Sequence, residues 1–411
     1  MKLGRKLLLL AIAAVSIVLL CETLRYGNLP SASHHILGVP MMRSTFFSGT
    51  KIRLTFEDMR LITNSIQCKK SGYNPYVTDK CDQWGRLYNY PPIWLELGRF
   101  SLGPTETNIA GGLAALFFIV VLFKINDLKS WIASSIMVLA SLSPPVLFGI
   151  ERGNTDLVVF SMVCLLFYFL NPLRPGYSQM LSAGAIFLTV LKLYPVAICV
   201  SLVRTRRDIF IAAFVTLISL SALMISLGDH FSTFLANQPE YTFRSFGAPV
   251  LPLRLTDLHN NIVLRVLSTA SVAGFALFTL YLVQKYKRYP RLLPMLDKNI
   301  AINRIATSCS LIYLFTFLLT TNFDYRLMFL LPFVLASLQE FENSLDYAKL
   351  VVPVLMTLYL WLVPLNHWTV DLASVLVFTV VFLATGAPYW KVITAREIRA
   401  PIDAPAPARS S

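Results

Sequence analysis

The sequence is poor in charged residues, which occupy only 14% of its 411 positions, and in histidine, of which it has five. No C-x-x-C pair and no His/Cys cluster has the spacing of a zinc site, so we expect no structural zinc. The chain also lacks a Rossmann-like block and a glycine-rich phosphate loop. These absences exclude an ordinary soluble domain and count against a nucleotide-binding site.

Apolar residues dominate instead, making up 55% of the chain with a mean hydropathy of +0.61. A helix that crosses a bilayer needs about 20 apolar residues, or somewhat fewer inside the protein. The sequence therefore predicts an all-α integral membrane domain over residues 1–397, with about twelve transmembrane helices, some of them short or re-entrant. Apolar segments lie near residues 7–24, 107–123, 131–150, 157–170, 178–191, 195–203, 209–227, 262–283, 303–321, 327–338, 350–365 and 370–386.

Basic residues predict the orientation, because lysine and arginine in short connections stay on the cytoplasmic side. Lys2, Arg5 and Lys6 precede the first apolar segment, and clusters at 204–207 and 285–291 fall on the same side. Both termini are therefore expected in the cytoplasm, including a disordered Pro/Ala-rich tail at 398–411. The first segment also resembles a signal peptide, but no small-x-small cleavage site follows it, which favours a retained span.

The stretch 178–203 has basic flanks on both sides, Arg174 before it and the cluster 204–207 after it. It is either a hairpin of two short half-helices that breaks at K-L-Y-P (192–195) or a single span that violates the charge rule. We prefer the hairpin, which places Lys192 near the outer membrane surface.

A long hydrophilic stretch at 25–104 is predicted to form the first extracytoplasmic loop, with a second outer loop at 228–261. A protein that only moves a solute rarely needs so long an irregular loop, whereas an enzyme at the membrane surface needs a place for a carboxylate. The first loop carries ten Lys/Arg against five Asp/Glu. This basic excess favours a phosphate-bearing partner.

Two of the six cysteines, Cys68 and Cys81, share the first outer loop. Outside the cytosol such a pair tends to be oxidised, and the resulting short ring contributes about 3 kcal/mol in the chain-entropy account. We therefore predict a disulfide between them. The others lie in or beside apolar segments and are expected to be small buried hydrophobes.

Polar residues within or beside apolar segments are costly and often functional. The acidic pair Glu57 and Asp58 is one such group, which we expect on an exposed loop; the alternative is a solvated amphipathic surface helix. Arg152 offers a planar fork for a phosphate, unless its connection is polar by chance. Lys192 is favoured as functional over a snorkelling anchor. Arg326 lies two residues after Asp324, and the two either pair with each other or bind a ligand.

The second outer loop contains Arg244, Arg254 and His259 and could fold as a lid over a lipid substrate, although this signal is weak. Together the outer groups supply a carboxylate that removes a hydroxyl proton and cations that stabilise a departing phosphate. This inventory suits group transfer from a phosphate-linked donor.

The order of motifs resembles the GT-C class of polyprenyl-phosphate-dependent glycosyltransferases, most closely glycosyltransferase family 87, the alpha-mannosyltransferase-like membrane proteins. The resemblance covers most of the chain. Each motif alone is short, and it is their order on a polytopic background that is specific. The motifs are Asp58 in the first outer loop, G-Y-N-P-Y at 72–76, Y-N-Y-P-P at 88–92, R-G-N-x-D at 152–156, K-L-Y-P at 192–195 and F-D-Y-R at 323–326.

The resemblance implies a GT-C fold, a sugar donor such as decaprenyl- or undecaprenyl-phosphate mannose, a lipid or glycan acceptor, and an inverting single displacement on the outer face of a bacterial inner membrane. It implies no cofactor and no nucleic-acid partner. Because Glu57 and Asp58 are adjacent rather than spaced as D-x-D, we expect no metal. Asp58 is the predicted base, and Arg152, Lys192 and Arg326 are the predicted donor-phosphate ligands. The predicted substrate-binding residues are Glu57, Tyr76, Tyr90, Asn154, Asp156, Tyr194, Asp324 and His259.

The cysteine pair and the length of the loop before Asp58 depart from the family pattern and leave the acceptor open. Two other classes remain possible on the sequence. A transporter or lipid-linked-sugar flippase would also place charges in a membrane cavity and use a broken helix, but the two halves show no obvious internal repetition. A non-catalytic subunit of an envelope-glycan complex would keep the fold without the base.

Overall fold

The computed structural model describes residues 6–7, 56–82, 85–238, 245–255, 262–286, 293–294, 296, 300–319, 322–363 and 368–394. Most of the first apolar segment, the loop before Phe56 and the tail 398–411 lie outside the described residues. So do Arg244 and His259 of the predicted second outer loop, and for Arg254 only the backbone is described. The predictions made for these parts remain predictions.

Helices form the described fold, together with one short antiparallel pair of strands that joins β1 (Ser245–Phe246) to β2 (Asn322–Phe323). Short 3-10 helices run over Asp79–Cys81, Pro92–Phe100, Pro104–Glu106, Tyr194–Leu202, Gly228–His230, Asp324–Leu330 and Tyr347–Leu350. The α-helices are α1 (Glu57–Lys70), α2 (Thr107–Ile125), α3 (Trp131–Ser141), α4 (Pro144–Arg152), α5 (Thr155–Phe169), α6 (Tyr177–Leu191), α7 (Arg206–Leu227), α8 (Phe231–Ala236), α9 (Val250–Leu255), α10 (Ile262–Lys285), α11 (Ala301–Leu319), α12 (Leu331–Ser344), α13 (Val351–Leu362) and α14 (Trp368–Thr394).

Five helices within the described residues are long and apolar enough to cross a membrane, and α3 with α4, bent by 48°, could form a sixth span. The protein is thus an integral membrane protein, but the predicted count of about twelve spans is not confirmed. Helices such as α5 and α6 are apolar yet have only 15 residues each, about 22 Å, which is shorter than the roughly 30 Å hydrocarbon core. The long helices are Pro104–Ile125, Arg206–Ala236, Ile262–Lys285, Ala301–Leu319 and Val370–Trp390.

Burial separates the central helix from the peripheral ones. Along α11, Ile305, Cys309 and Phe317 are fully buried, and this helix packs against α5, α12 and the 3-10 helix Tyr194–Leu202. In contrast, α10 exposes Val266 and Phe278. Apolar side chains exposed on a helix of this length suit contact with lipid.

The chain breaks where the sequence predicts a break in the stretch 178–203. Helix α6 ends at Leu191 because Lys192 is extended, with φ −162° and ψ 142°. The following segment is a 3-10 helix with Pro195 at its start, where the missing N–H costs no helical hydrogen bond. The break is confirmed, whereas the position of this hairpin in the membrane remains a prediction.

The amphipathic helix that the sequence left open as the alternative for Glu57 and Asp58 is present as α1. It buries Met59, Leu61, Ile62 and Ile66, which recur at helical spacing on one face. Acidic residues occupy its first turn and basic residues its last, the arrangement that complements the helix dipole. This packing brings the N-terminus of α1, with its two carboxylates, against the end of α4.

Candidate active site

Asp58 is not an exposed-loop residue, and that prediction is wrong. It lies in the first turn of α1 and is 5% exposed. The reason is that an arginine from α4 reaches it: the Arg152 fork donates from Nε to Asp58 Oδ2 at 2.9 Å and from Nη2 to Oδ1 at 2.5 Å. Such a bidentate charge-assisted pair is among the stronger polar interactions in proteins. The same arginine donates from Nη1 to Glu57 Oε2 at 3.0 Å.

Arg86 is the second arginine at this carboxylate, and it was not among the predicted site residues. It donates from Nη1 to Asp58 Oδ1 at 3.3 Å and from Nη2 to the Glu57 carbonyl at 2.9 Å. Asp82, which is buried, accepts from Arg86 Nε at 2.8 Å and holds the guanidinium in place. Arg86 therefore ties the loop that follows the disulfide to the first turn of α1.

Asp156 forms a second centre of charge at the start of α5. It is fully buried and accepts hydrogen bonds from Lys192 Nζ, from the Tyr194 hydroxyl at 2.7 Å and from Arg326 Nε at 3.2 Å. Arg326 also donates to Asn322 Oδ1. Arg326 therefore pairs with Asp156. A pair between Arg326 and Asp324, which the sequence left open, is not needed to explain the position of Arg326.

Asn154 joins the two centres. Its side chain donates from Nδ2 to Asp58 Oδ2 at 2.5 Å, while its Oδ1 accepts from Lys192 Nζ at 3.3 Å and from the Asp156 N–H at 2.8 Å. It also caps the N-terminus of α5. Five separate parts of the chain thus meet in one set of polar side chains, which we call the charge cluster: Glu57, Asp58, Asp82, Arg86, Arg152, Asn154, Asp156, Lys192 and Arg326.

Three of the four carboxylates in the charge cluster are buried more deeply than its cations. Its four cations keep 11% to 19% of their side-chain surface exposed, whereas its carboxylates other than Glu57 keep 7% or less; Glu57 keeps 25%. The accessible surface of the cluster therefore consists of the four cations and Glu57, with Asp58, Asp82 and Asp156 behind it. Such a surface can receive an anion, and arginine forks suit phosphate in particular.

The arginines also set the titration of Asp58. Burial on its own would raise the pKa of Asp58, but the charge and hydrogen bonds of Arg152, the charge of Arg86 and the hydrogen bond from Asn154 outweigh it and lower the pKa to about 2. Burial would lower the pKa of Arg86, and the hydrogen bonds and charge of Asp82 raise it instead. At neutral pH both groups are charged, so Asp58 is free of a proton but is a weak base in this arrangement.

The aromatic residues predicted to bind substrate divide into two groups. The Tyr90 and Tyr194 rings lie 5.2 and 5.7 Å from Lys192 Nζ, so they form walls of the charge cluster. Tyr76 instead supports the loop: its hydroxyl donates to the Tyr90 carbonyl at 2.7 Å and its ring stacks on His230 at 4.7 Å. Asp324 is buried at the start of the 3-10 helix that carries Arg326.

The predicted disulfide between Cys68 and Cys81 is present. It joins α1 to the segment that continues into Asp82 and Arg86. This connection is the signal that could have found Arg86, because a cross-link at Cys81 brings the next residues next to α1. Among the described residues no group of three or more His, Cys, Asp or Glu side chains could hold a metal ion, and the prediction of a metal-independent site stays a prediction.

Comparison with known proteins adds little to this geometry. No family model and no curated protein matches the chain. Among solved structures, the crystal structure of ArnT from Cupriavidus metallidurans in the apo state matches at 13% sequence identity with a TM-score of 0.35, over 88% of this chain and 76% of the ArnT chain. A TM-score this low does not establish a common fold, so the family resemblance of the motifs remains a prediction.

Proposed function

We propose that this protein is a membrane glycosyltransferase of the GT-C type that uses a polyprenyl-phosphate sugar as donor. The transferred sugar would be mannose or a similar hexose or pentose, and the acceptor a lipid or glycan on the outer face of the inner membrane. The proposal is supported by the apolar helices and by the contacts that join the motif residues of the resemblance.

The observation that carries the proposal is the set of four cations on the accessible surface of the charge cluster. Arg152, Lys192 and Arg326 come from three separate elements. Lys192 and Arg326 both donate to Asp156, and Arg152 is linked to Lys192 through Asp58 and Asn154. A leaving polyprenyl phosphate needs positive charge in a low-dielectric setting. Buried carboxylates hold these cations in place, so little reorganisation is required when the phosphate departs.

The proposed reaction is a single displacement. The acceptor hydroxyl oxygen forms a bond to the anomeric carbon while the bond from that carbon to the donor phosphate oxygen breaks, which inverts the configuration. Polyprenyl phosphate leaves with the bonding electron pair, and the hydroxyl proton passes to Asp58. No cofactor takes part.

Asp58 is a weak base while Arg152 and Arg86 hold it. A donor phosphate bound at the same cations competes with Asp58 for the Arg152 fork, and each hydrogen bond that Arg152 transfers to phosphate removes one that favours the ionised carboxylate. Donor binding would therefore raise the pKa of Asp58 and make it a better proton acceptor. In this scheme the base becomes effective only when the donor is in place.

The test is sugar transfer by purified protein in lipid nanodiscs, with radiolabelled undecaprenyl-phosphate mannose as donor and a membrane lipid extract as acceptor. We expect a radiolabelled product that wild-type protein forms and Asp58→Asn does not. We expect Arg326→Gln to raise the donor KM by about 10-fold or more, because it removes a charged hydrogen-bond donor to phosphate.

Arg99→Gln is the matched control, because Arg99 is an exposed arginine that pairs with Glu96 within the 3-10 helix Pro92–Phe100, outside the charge cluster. Its donor KM should equal that of the wild type. Movement of the labelled sugar lipid across a vesicle membrane without transfer would instead establish a flippase. If the protein neither transfers the sugar nor moves the sugar lipid, tested across mannose and other hexose and pentose donors, the enzyme is refuted and an assembly subunit is favoured.

A further inference from the structure

Phe56, the residue immediately before α1, has a backbone conformation that its side chain disfavours. Its φ is 57° and its ψ is 45°, in the left-handed region, where a bulky residue is an outlier. Its N–H donates to the Glu151 carbonyl at 2.9 Å, and its carbonyl accepts from the Arg60 N–H at 2.8 Å. Residues held in such conformations occur where the surrounding structure over-determines them, often at functional sites.

Two glycines make room for the Phe56 ring. A methyl group added at Gly111 of α2 would overlap Cγ of Phe56 and lie 2.7 Å from each Cδ. One added at Gly153 would lie 2.9 Å from Cδ1 of Phe56 and 3.2 Å from the Gly111 Cα. The ring therefore fills a notch that exists only because both positions lack a side chain. The notch joins the start of α1 to α2 and to the end of α4.

The groups on both sides of this notch belong to the charge cluster. Glu57 and Asp58 follow Phe56 directly, and Arg152 precedes Gly153, so the Phe56 N–H bond to Glu151 connects the two backbones next to the Arg152–Asp58 pair. A rotation of the first turn of α1 would move Asp58 relative to Arg152 and Asn154. Locking that turn requires a rigid side chain in a fitted site, which the ring and the two glycines supply.

We propose that Phe56 is a positioning residue that fixes the Glu57–Asp58 turn against Arg152 through the Gly111–Gly153 notch. The inference rests on the proposed function for its effect on sugar transfer. Its structural part, the placement of Asp58, is independent of that function.

The test is the substitution Gly111→Ala, with Gly112→Ala as matched control. Gly112 lies next to Gly111 in the same helix, and a methyl group added there meets no atom within 4 Å. Both variants add one methyl group and raise helix propensity alike. A general effect on α2 would therefore appear in both, and an effect through Phe56 would appear in Gly111→Ala alone.

The first readout is modification of Asp58 by a water-soluble carbodiimide, quantified by peptide mass spectrometry. A buried carboxylate paired with two arginines reacts slowly, so we expect wild type and Gly112→Ala to react at the same rate and Gly111→Ala to react several-fold faster. Equal Asp58 rates in all three proteins would overturn the proposal. This readout requires no donor, so it stands even if sugar transfer is never observed.

The second readout is transfer from undecaprenyl-phosphate mannose. A small misplacement of a catalytic group lowers turnover, so we expect Gly111→Ala to reduce kcat by about 10- to 100-fold with a much smaller change in donor KM. A raised KM with unchanged kcat would refute a role in positioning the carboxylate. Faster carbodiimide reaction in Gly111→Ala, combined with no transfer even by wild type, would support the notch and refute the glycosyltransferase.

A double variant checks that the effect passes through the ring. Phe56→Ala removes both the ring that holds the turn and the atoms that the new methyl group would overlap. Phe56→Ala alone should therefore react with carbodiimide faster than wild type, and Phe56→Ala/Gly111→Ala should react no faster than Phe56→Ala. Such coupling is the signature of two residues in direct contact. Additive effects of the two substitutions would contradict the proposed contact.

Discussion

Replacing Asp58 by asparagine should remove both a base and a structural ion pair. The amide keeps the shape of the side chain but cannot accept the hydroxyl proton, so we expect transfer to fall by at least about 100-fold. Because Asp58 is buried between Arg152 and Arg86, we also expect a loss of stability. Replacing an exposed aspartate would cause no such loss of stability.

The size of the stability loss follows from the ionised state of Asp58. Its pKa falls from an ordinary 3.8 to about 2, which corresponds to roughly 2 kcal/mol in favour of the folded protein at neutral pH. Breaking a buried ion pair by removing one partner costs about 3 to 5 kcal/mol when the other charge is left alone. In Asp58→Asn, Arg152 keeps its ion pair with Glu57, and Arg86 keeps its ion pair with Asp82. We therefore expect the free energy of unfolding to fall by about 2 to 3 kcal/mol at pH 7.

The pH dependence separates this cause from a packing defect. The folded-state pKa of Asp58 is lowered, so its stabilisation is fully present above about pH 5 and is lost as the pH falls through about 4 towards 2. The gap in thermal midpoint between wild type and Asp58→Asn should therefore narrow to about half by about pH 3.

The assay is thermal unfolding of purified protein in nanodiscs across that pH range, with transfer measured well below the midpoint of each variant. Asp79→Asn is the control, because Asp79 is an exposed carboxylate in the same loop, and it should leave the midpoint unchanged at every pH. A wild-type-like midpoint for Asp58→Asn at pH 7, or a gap that does not change with pH, would refute the ion-pair account.

Other contacts lead to further predictions. Arg326→Lys should raise the donor KM several-fold despite keeping the charge, because a lysine cannot reproduce the planar fork; unchanged donor titration would place the phosphate elsewhere. Trp94→Phe removes the 2.9 Å hydrogen bond from Nε1 to the buried Leu191 carbonyl beside the break after α6, and should lower the unfolding free energy by about 1 to 3 kcal/mol; an unchanged unfolding free energy would contradict this. Cys68→Ser/Cys81→Ser removes the disulfide and should lower the free energy of unfolding by about 3 kcal/mol and also lower kcat. If reduction of the wild-type protein leaves its thermal midpoint unchanged, this prediction is contradicted.

Much of the candidate site could be predicted because polar groups beside apolar segments are conspicuous. Arg152, Lys192 and Arg326 each interrupt or closely follow an apolar run. The structure brings Lys192 and Arg326 to Asp156 and links Arg152 to them through Asp58 and Asn154. The break at 192–195 could also be predicted from the sequence, because basic flanks on both sides and a proline are local signals. These features require no knowledge of which distant segments pack together.

The rest depended on long-range packing. Arg86 lies 28 residues from Asp58, in a loop where basic residues are common, and its role follows only from the disulfide that brings Asp82 to α1. The burial of Asp58 was missed for the same reason, because its arginine partner is supplied by α4. The span count is not confirmed, because hydropathy reports the cost of leaving water and does not show where a helix ends; α5 and α6 are apolar but short.

Charge balance within the cluster constrains the proposed reaction. Four cations face four carboxylates in a largely buried setting, so the cluster is close to neutral before a donor binds. A sugar phosphodiester brings one negative charge, and transfer leaves a phosphate monoester with a second one, while Asp58 loses its own charge on accepting the proton. The total charge therefore stays constant during transfer, and one negative charge moves from Asp58 to the phosphate. Arg152 is suited to stabilise this negative charge before and after it moves. Its fork already binds Asp58 through two nitrogens and is partly accessible on the face where we propose that the phosphate binds. In a low-dielectric site this compensation matters more than in water, since an uncompensated charge there costs several kcal/mol.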